Sequence, residues 1–202
     1  MELDHLAVTC GDLDEGVAAV EAALGVALSP GGRHDHMGTH NRLLSLGPGL
    51  YLEVIASDPA APKPAWPRWF DLDSRSGPPR LTHWICRVDD LAATLSAAPE
   101  GAGAVTDLAR GAFRWRMAVP ETGRLPFDDT FPALIEWRAG GHPADNLPDA
   151  GCRLRRLTVT HPQAADLAAS LGLQDARVVF AEGPAKMLTA EIDTPMGPRM
   201  LA

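Results

Sequence analysis

A short apolar run that returns three times limits what this chain can fold into more than any other feature. Leu3-Asp4-His5-Leu6-Ala7-Val8 recurs as Leu81-Thr82-His83-Trp84-Ile85-Cys86 and, more loosely, as Leu154-Arg155-Arg156-Leu157-Thr158-Val159. Each run has the length and residue types of a strand, and such a recurrence means one supersecondary unit used repeatedly. A helix signal follows each. Asp12 with Glu15 reads as a capping box, Leu13, Val17, Val20 and Leu24 follow at helical spacing, and Gly25 offers the stop. In the second copy Leu91 and Leu95 lie one turn apart between Asp90 and Pro99, and in the third Pro162 opens a helix carrying Leu167 and Leu171 ahead of Gly172.

Strand-like runs then follow each helix, over 41–46 and 50–56, 113–119 and 133–138, and 177–181 and 186–192, with turn residues such as Gly47-Pro48-Gly49 between them. The simplest description is an α+β fold of tandem βαβββ modules. The first covers 1–58, a Pro-rich linker 59–79, the second module 80–139, a further linker 140–151, and a third, partial βαββ unit 152–202. Hydrophobic residues at 46% and charged residues at 22% are ordinary for a packed globular chain, so disorder and coiled coil drop out. A formal charge of -8 repels phosphate, which excludes non-specific nucleic-acid and anionic-membrane partners and leaves small molecules, with a homodimer open. There is no basic segment followed by an apolar h-region, and no run of about 18 apolar residues, so the expected location is the cytoplasm. Cys10, Cys86 and Cys152 are too few and too scattered for a thiolate zinc site and are expected as free thiols.

The last strand of each unit holds an acidic residue inside an apolar run: Glu53, Glu136 and Glu191. A carboxylate there needs a partner or a cavity, because desolvating it alone is costly. His5 and His83 pose the same question in the first strands. Side chains two apart share a strand face, so Leu6 and Val8 turn one way and His5 the other, and likewise Leu52 and Val54 against Glu53. If His83 and Glu136 obey the same rule, two modules meeting face to face bring His5, Glu53, His83 and Glu136 together. Two imidazoles and two carboxylates suit one divalent metal, Zn, Ni, Fe or Mn, with positions left for water or substrate.

Here the sequence resembles the vicinal oxygen chelate superfamily and, within it, the glyoxalase-like proteins. The stretch from Pro30-Gly31-Gly32-Arg33-His34 to Gly38-Thr39-His40-Asn41, the His142-Pro143 pair and the closing Thr194-Pro195-Met196-Gly197 also look like a glyoxalase-like subfamily. The resemblance implies a cupped mixed sheet of the glyoxalase, bleomycin-resistance and dihydroxybiphenyl-dioxygenase type, with metal ligands from the first and last strands of each module. It places His5, Glu53, His83 and Glu136 at the ligand positions and makes Glu136 the proton-transferring base. The chemistry implied is that of a metal-dependent isomerase or lyase acting on an α-hydroxycarbonyl compound. Extradiol-type ring cleavage and a metal-free binding or resistance protein of the same fold stay open.

The third unit departs from the pattern, because Arg156 stands where a ligand histidine would be and cannot bind a metal. Pairing of Arg156 with Glu191 and a structural role are expected there. His40 and Asn41 open a strand and are candidate substrate contacts, while His34 and His36 read as a solvated loop. Trp66, Trp69 and Phe70, in the first linker, read as a hydrophobic plug over a core.

Overall fold

The computed structural model describes residues 1–202. The first module comprises β1 (Glu2–Thr9), α1 (Leu13–Leu24), β2 (Ser29–His34), β3 (Thr39–Ser45) and β4 (Tyr51–Ser57). The second comprises β5 (Arg80–Arg87), α2 (Leu91–Ser96), β6 (Ala104–Arg110), β7 (Phe113–Val119), a single turn α3 (Pro126–Asp129) and β8 (Ala133–Ala139). Local chemistry sets the helix ends. Asp12 accepts a hydrogen bond from the Glu15 N–H at 3.0 Å, and Gly25 closes α1 in the left-handed region at φ 72°. β2 supplies the third strand of the expected βαβββ module, which no strand-like run in the sequence marks; with Pro30 in it, it stands as an edge strand, where a missing N–H is tolerated.

Both modules join in one eight-stranded sheet of order β2-β3-β4-β1-β5-β8-β7-β6, with β1 and β5 antiparallel at its centre. β1 runs parallel to β4 and β5 parallel to β8, so the same path is followed on either side of the seam. The sheet curls until its two edges approach. A Cβ added at Gly32 of β2 would stand 2.7 Å from Arg110 Cδ at the end of β6, so a larger residue there would have to displace the Arg110 side chain.

The C-terminal unit forms a separate four-stranded sheet of order β10-β9-β11-β12, from β9 (Arg153–His161), α4 (Ala164–Ala169), β10 (Val178–Glu182), β11 (Met187–Thr194) and β12 (Gly197–Leu201). It has one strand more than the expected βαββ. The Thr194-Pro195-Met196-Gly197 turn adds it: the Thr194 hydroxyl donates to Gly197 O and accepts from the Met196 N–H, and Gly197 takes φ 95°. Arg156 faces Glu191 across β9 and β11 at 3.7 Å. The unit packs against the larger sheet through Phe180, whose ring lies 6.0 Å from that of the fully buried Trp84, and through the Leu81 N–H, which donates to Ala202 O.

One core runs through all three units, from Leu3 and Leu6 to Leu157 and Ile192. The three cysteines are free and buried, and burial pushes the Cys10 thiol up to about 12. No helix is long and apolar enough to cross a membrane.

Candidate functional site

Val54 lies against α1 at Gly16, so Glu53, one residue earlier on β4, turns the opposite way, into the cup. His5 lies on the same face of the neighbouring strand, its ring stacked on Tyr51 with centroids 4.4 Å apart. Asp4 sets how His5 is held. Its fully buried carboxylate lies 2.6 Å from His5 Nδ1, 2.9 Å from Trp137 Nε1 and 3.0 Å from His142 Nε2. The His142 tautomer follows from its other nitrogen, since Nδ1 accepts the Ala144 N–H and the proton must sit on Nε2. Asp4 therefore accepts from all three rings. Burial alone would raise its pKa, but the hydrogen bonds from His142 and His5 outweigh it and hold the carboxyl well below the usual range.

With Nδ1 committed, His5 turns Nε2 toward Glu53 Oε2, 3.7 Å away. Glu53 is fixed in turn by Asn41, whose amide donates to Oε1 and whose own Oδ1 accepts the Gly32 N–H at 2.7 Å. Arg110 reaches in from β6, donating to His34 Nε2 at 3.1 Å and to Asn41 Oδ1 at 3.4 Å. His34 is thus neutral, with its Nδ1–H donating to Thr39 Oγ1; burial first, then the Arg110 charge, lower its pKa to about 3. Trp69, Phe70, Trp115 and Trp137 close the space around these groups, leaving about 30 Å³.

Of the expected site residues, the structure brings His5, Glu53 and Asn41 together. His83 faces the same side of the sheet, but its ring packs on Phe70 at 4.8 Å and lines a different cavity, with Nε2 4.0 Å from Asp129 Oδ1. Glu136 does not join them. Ile135 and Trp137 take the cup face of β8, and Glu136 points outward, accepting the Leu91 N–H at the start of α2 and pairing with Arg138. His40 pairs across to Arg33 and does not line the cup, unlike its neighbour Asn41. No group of three or more His, Cys, Asp or Glu side chains is arranged to hold a metal ion, so the donors as placed do not form the four-ligand divalent centre that the sequence implied.

His34 corrects the solvated-loop reading: it is buried in the cup, while His36 stacks on the exposed Trp66 at 4.5 Å. Trp69 and Phe70 are each 4% exposed and fill the cup as a plug. Sequence reasoning missed Asp4, Trp137, Arg110 and the role of His142. Only Asp4 left a trace, as a charge inside the apolar run beside His5. The other three come together across more than sixty residues each, through pairing that no local pattern encodes.

Comparison with known proteins bears on the fold. A hypothetical protein from Staphylococcus aureus superposes with a TM-score of 0.57 at 12% identity, covering 92% of this chain and 87% of its own. Methylmalonyl-CoA epimerases from Streptomyces coelicolor and Mycobacterium tuberculosis align over 69% of the chain and 97% and 88% of their own, at TM-scores of 0.45 and 0.43 and identities of 15% and 19%. No curated protein matches the chain. The glyoxalase-like domain family matches residues 3–175, across both modules and into the third unit, and the chain belongs to that family, within the vicinal oxygen chelate superfamily.

Proposed function

We propose that the protein is an isomerase or lyase that shifts a proton on a small α-hydroxycarbonyl compound, with Glu53 and His5 as the reacting pair. The observation that supports this reading is the orientation of His5: Asp4 takes its Nδ1–H, so Nε2 and Glu53 Oε2 open on one space, 3.7 Å apart. A carboxylate and an imidazole so placed can exchange protons with adjacent atoms of one substrate. Glu53 accepts the proton from the carbon beside the carbonyl, the electron pair passes to the carbonyl oxygen, and a protonated Nε2 gives its proton to that oxygen. Return of the proton from Glu53 to the former carbonyl carbon, while Nε2 takes up the proton of the neighbouring hydroxyl as that oxygen becomes the new carbonyl, completes an isomerisation and restores both groups. Arg110, bonded only to neutral groups, offsets the charge that builds on the oxygen.

The remaining 30 Å³ admits about one water, so substrate binding requires the plug to withdraw. Phe70 and Asp71 hold φ 59° and 48°, conformations that cost about 1–3 kcal/mol each, so withdrawal of this segment would release that strain. Exchange of the substrate α proton into deuterated water, followed by NMR on a panel of α-hydroxycarbonyl compounds, tests the proposal. Glu53→Gln is expected to slow exchange by about two to four orders of magnitude. Exchange that proceeds unchanged in that variant would remove Glu53 from the chemistry.

A further inference from the structure

A second cavity, of about 340 Å³, lies where the rim of the eight-stranded sheet meets the C-terminal sheet. That is the size of a small-molecule site. Its walls come from Thr9, Thr82 and His83 on the central strands, the linker from Phe70 to Ser76, Asp129 and Thr130 before β8, and Lys186 at the start of β11. Two of the residues that line it carry a buried side-chain atom without a protein hydrogen-bond partner, His83 Nε2 and Thr130 Oγ1. Buried polar atoms are nearly always partnered, so two orphans on one cavity point to a ligand that supplies the partner.

The hydrogen bonds behind His83 decide what it offers. Thr9 Oγ1 lies 2.9 Å from Thr82 Oγ1, which lies 2.9 Å from His83 Nδ1. Burial keeps the ring neutral, so it carries one N–H. The Asp129 carboxylate, 4.0 Å from Nε2, favours that proton on Nε2, with Thr82 then donating to Nδ1 and Thr9 to Thr82. Charge makes the second argument. Arg75, Arg80 and Lys186 line the space. Arg75 spends its hydrogen bonds on main-chain oxygens of Thr9, Ser76 and Pro78, which leaves its charge uncompensated, and Arg80 has no carboxylate partner. Against them stand Asp129, paired with Lys186 at 3.4 Å, and Asp71, which is turned to Arg124 at 2.9 Å.

We propose that this cavity binds a small molecule bearing an oxyanion, an organic carboxylate or a phosphate ester, held by Lys186 and Arg80 and by donation from His83 Nε2 and the Thr130 hydroxyl. The site is separate from the cup and does not rest on the reading of Glu53 and His5. Its ligand would lie against Phe70, the ring that also lines the cup.

Titration of the full chain with succinate and with inorganic phosphate, read by calorimetry and by the ring-proton shifts of His83, tests it. Binding of succinate alone identifies a carboxylate ligand and binding of phosphate alone a phosphate ester; either supports the site. Lys186→Gln and Thr130→Val, both mild changes to the fold, are each expected to weaken binding about tenfold, while Glu136→Gln on the outer face leaves it unchanged. Failure of both probes to bind at about 10 mM, or equal affinity in all these variants, would overturn the proposal. Loss of binding in His5→Gln with full binding in Lys186→Gln would place the ligand in the cup and overturn it equally.

Discussion

Glu53 and Glu136 occupy matching places in the two modules and do opposite things. Glu53 faces inward and is held by Asn41 beside His5; Glu136 faces outward and accepts the first N–H of α2. That bond, then Arg138, hold the Glu136 carboxyl below its usual pKa, as expected of a carboxylate at a helix N-terminus. Truncating it should therefore act on stability and not on chemistry. Glu136→Ala is expected to cost about 1 kcal/mol in urea unfolding, the scale of a lost helix cap, and to leave α-proton exchange within about twofold, far from the loss that removal of a general base brings. A loss of exchange as large as that of Glu53→Gln would return the base to the second module.

At the level of elements, α1 shows how closely the helix layer sits on the sheet. A Cβ at Gly16 would stand 2.4 Å from Cys10 Sγ and 2.8 Å from Val54 Cγ1. Alanine is the better helix former by about 1 kcal/mol, but overpacking a closed core costs about 1–3 kcal/mol, so Gly16→Ala should destabilise on balance. A rise in the urea midpoint would show that α1 can lift without loss. The strand-helix alternation and the caps at Asp12 and Gly25 were legible because they are local. The facing of β8 was not, because Ala133 to Glu136 are all buried and polar-apolar alternation vanishes when both faces are covered. β2 was hidden by its glycines, whose purpose is tertiary: at Gly31 an added Cβ would collide with Asn41. His83 lies apart from His5 and Glu53 for a related reason. Strand parity places it on the inner face, but the plug from the linker, which parity does not describe, lies against its ring.

For the molecule as a whole, closure of the cup depends on groups that must stay in one protonation state. His34 stands on edge strand β2 and accepts from Arg110 on the opposite edge strand, β6, so the contact between the two edges needs a neutral imidazole. Its folded pKa of about 3 lies below the 6.5 of an unperturbed histidine. Between those values the unfolded chain binds a proton that the folded chain refuses, and stability falls as pH drops, by about 1.4 kcal/mol per pH unit for one such proton. The lowered pKa of His83 acts in the same direction over this window, and that of Asp4 adds to the loss once pH falls below about 4. Stability should therefore be greatest above about pH 6.5 and decline steadily toward pH 4. His34→Gln keeps an acceptor for Arg110 but cannot take up a proton, so its decline from pH 6 to pH 4 should be shallower by close to one proton. Urea unfolding at half-unit steps of pH measures both slopes. Parallel curves for the two proteins would mean that the edges of the cup are not held together through His34.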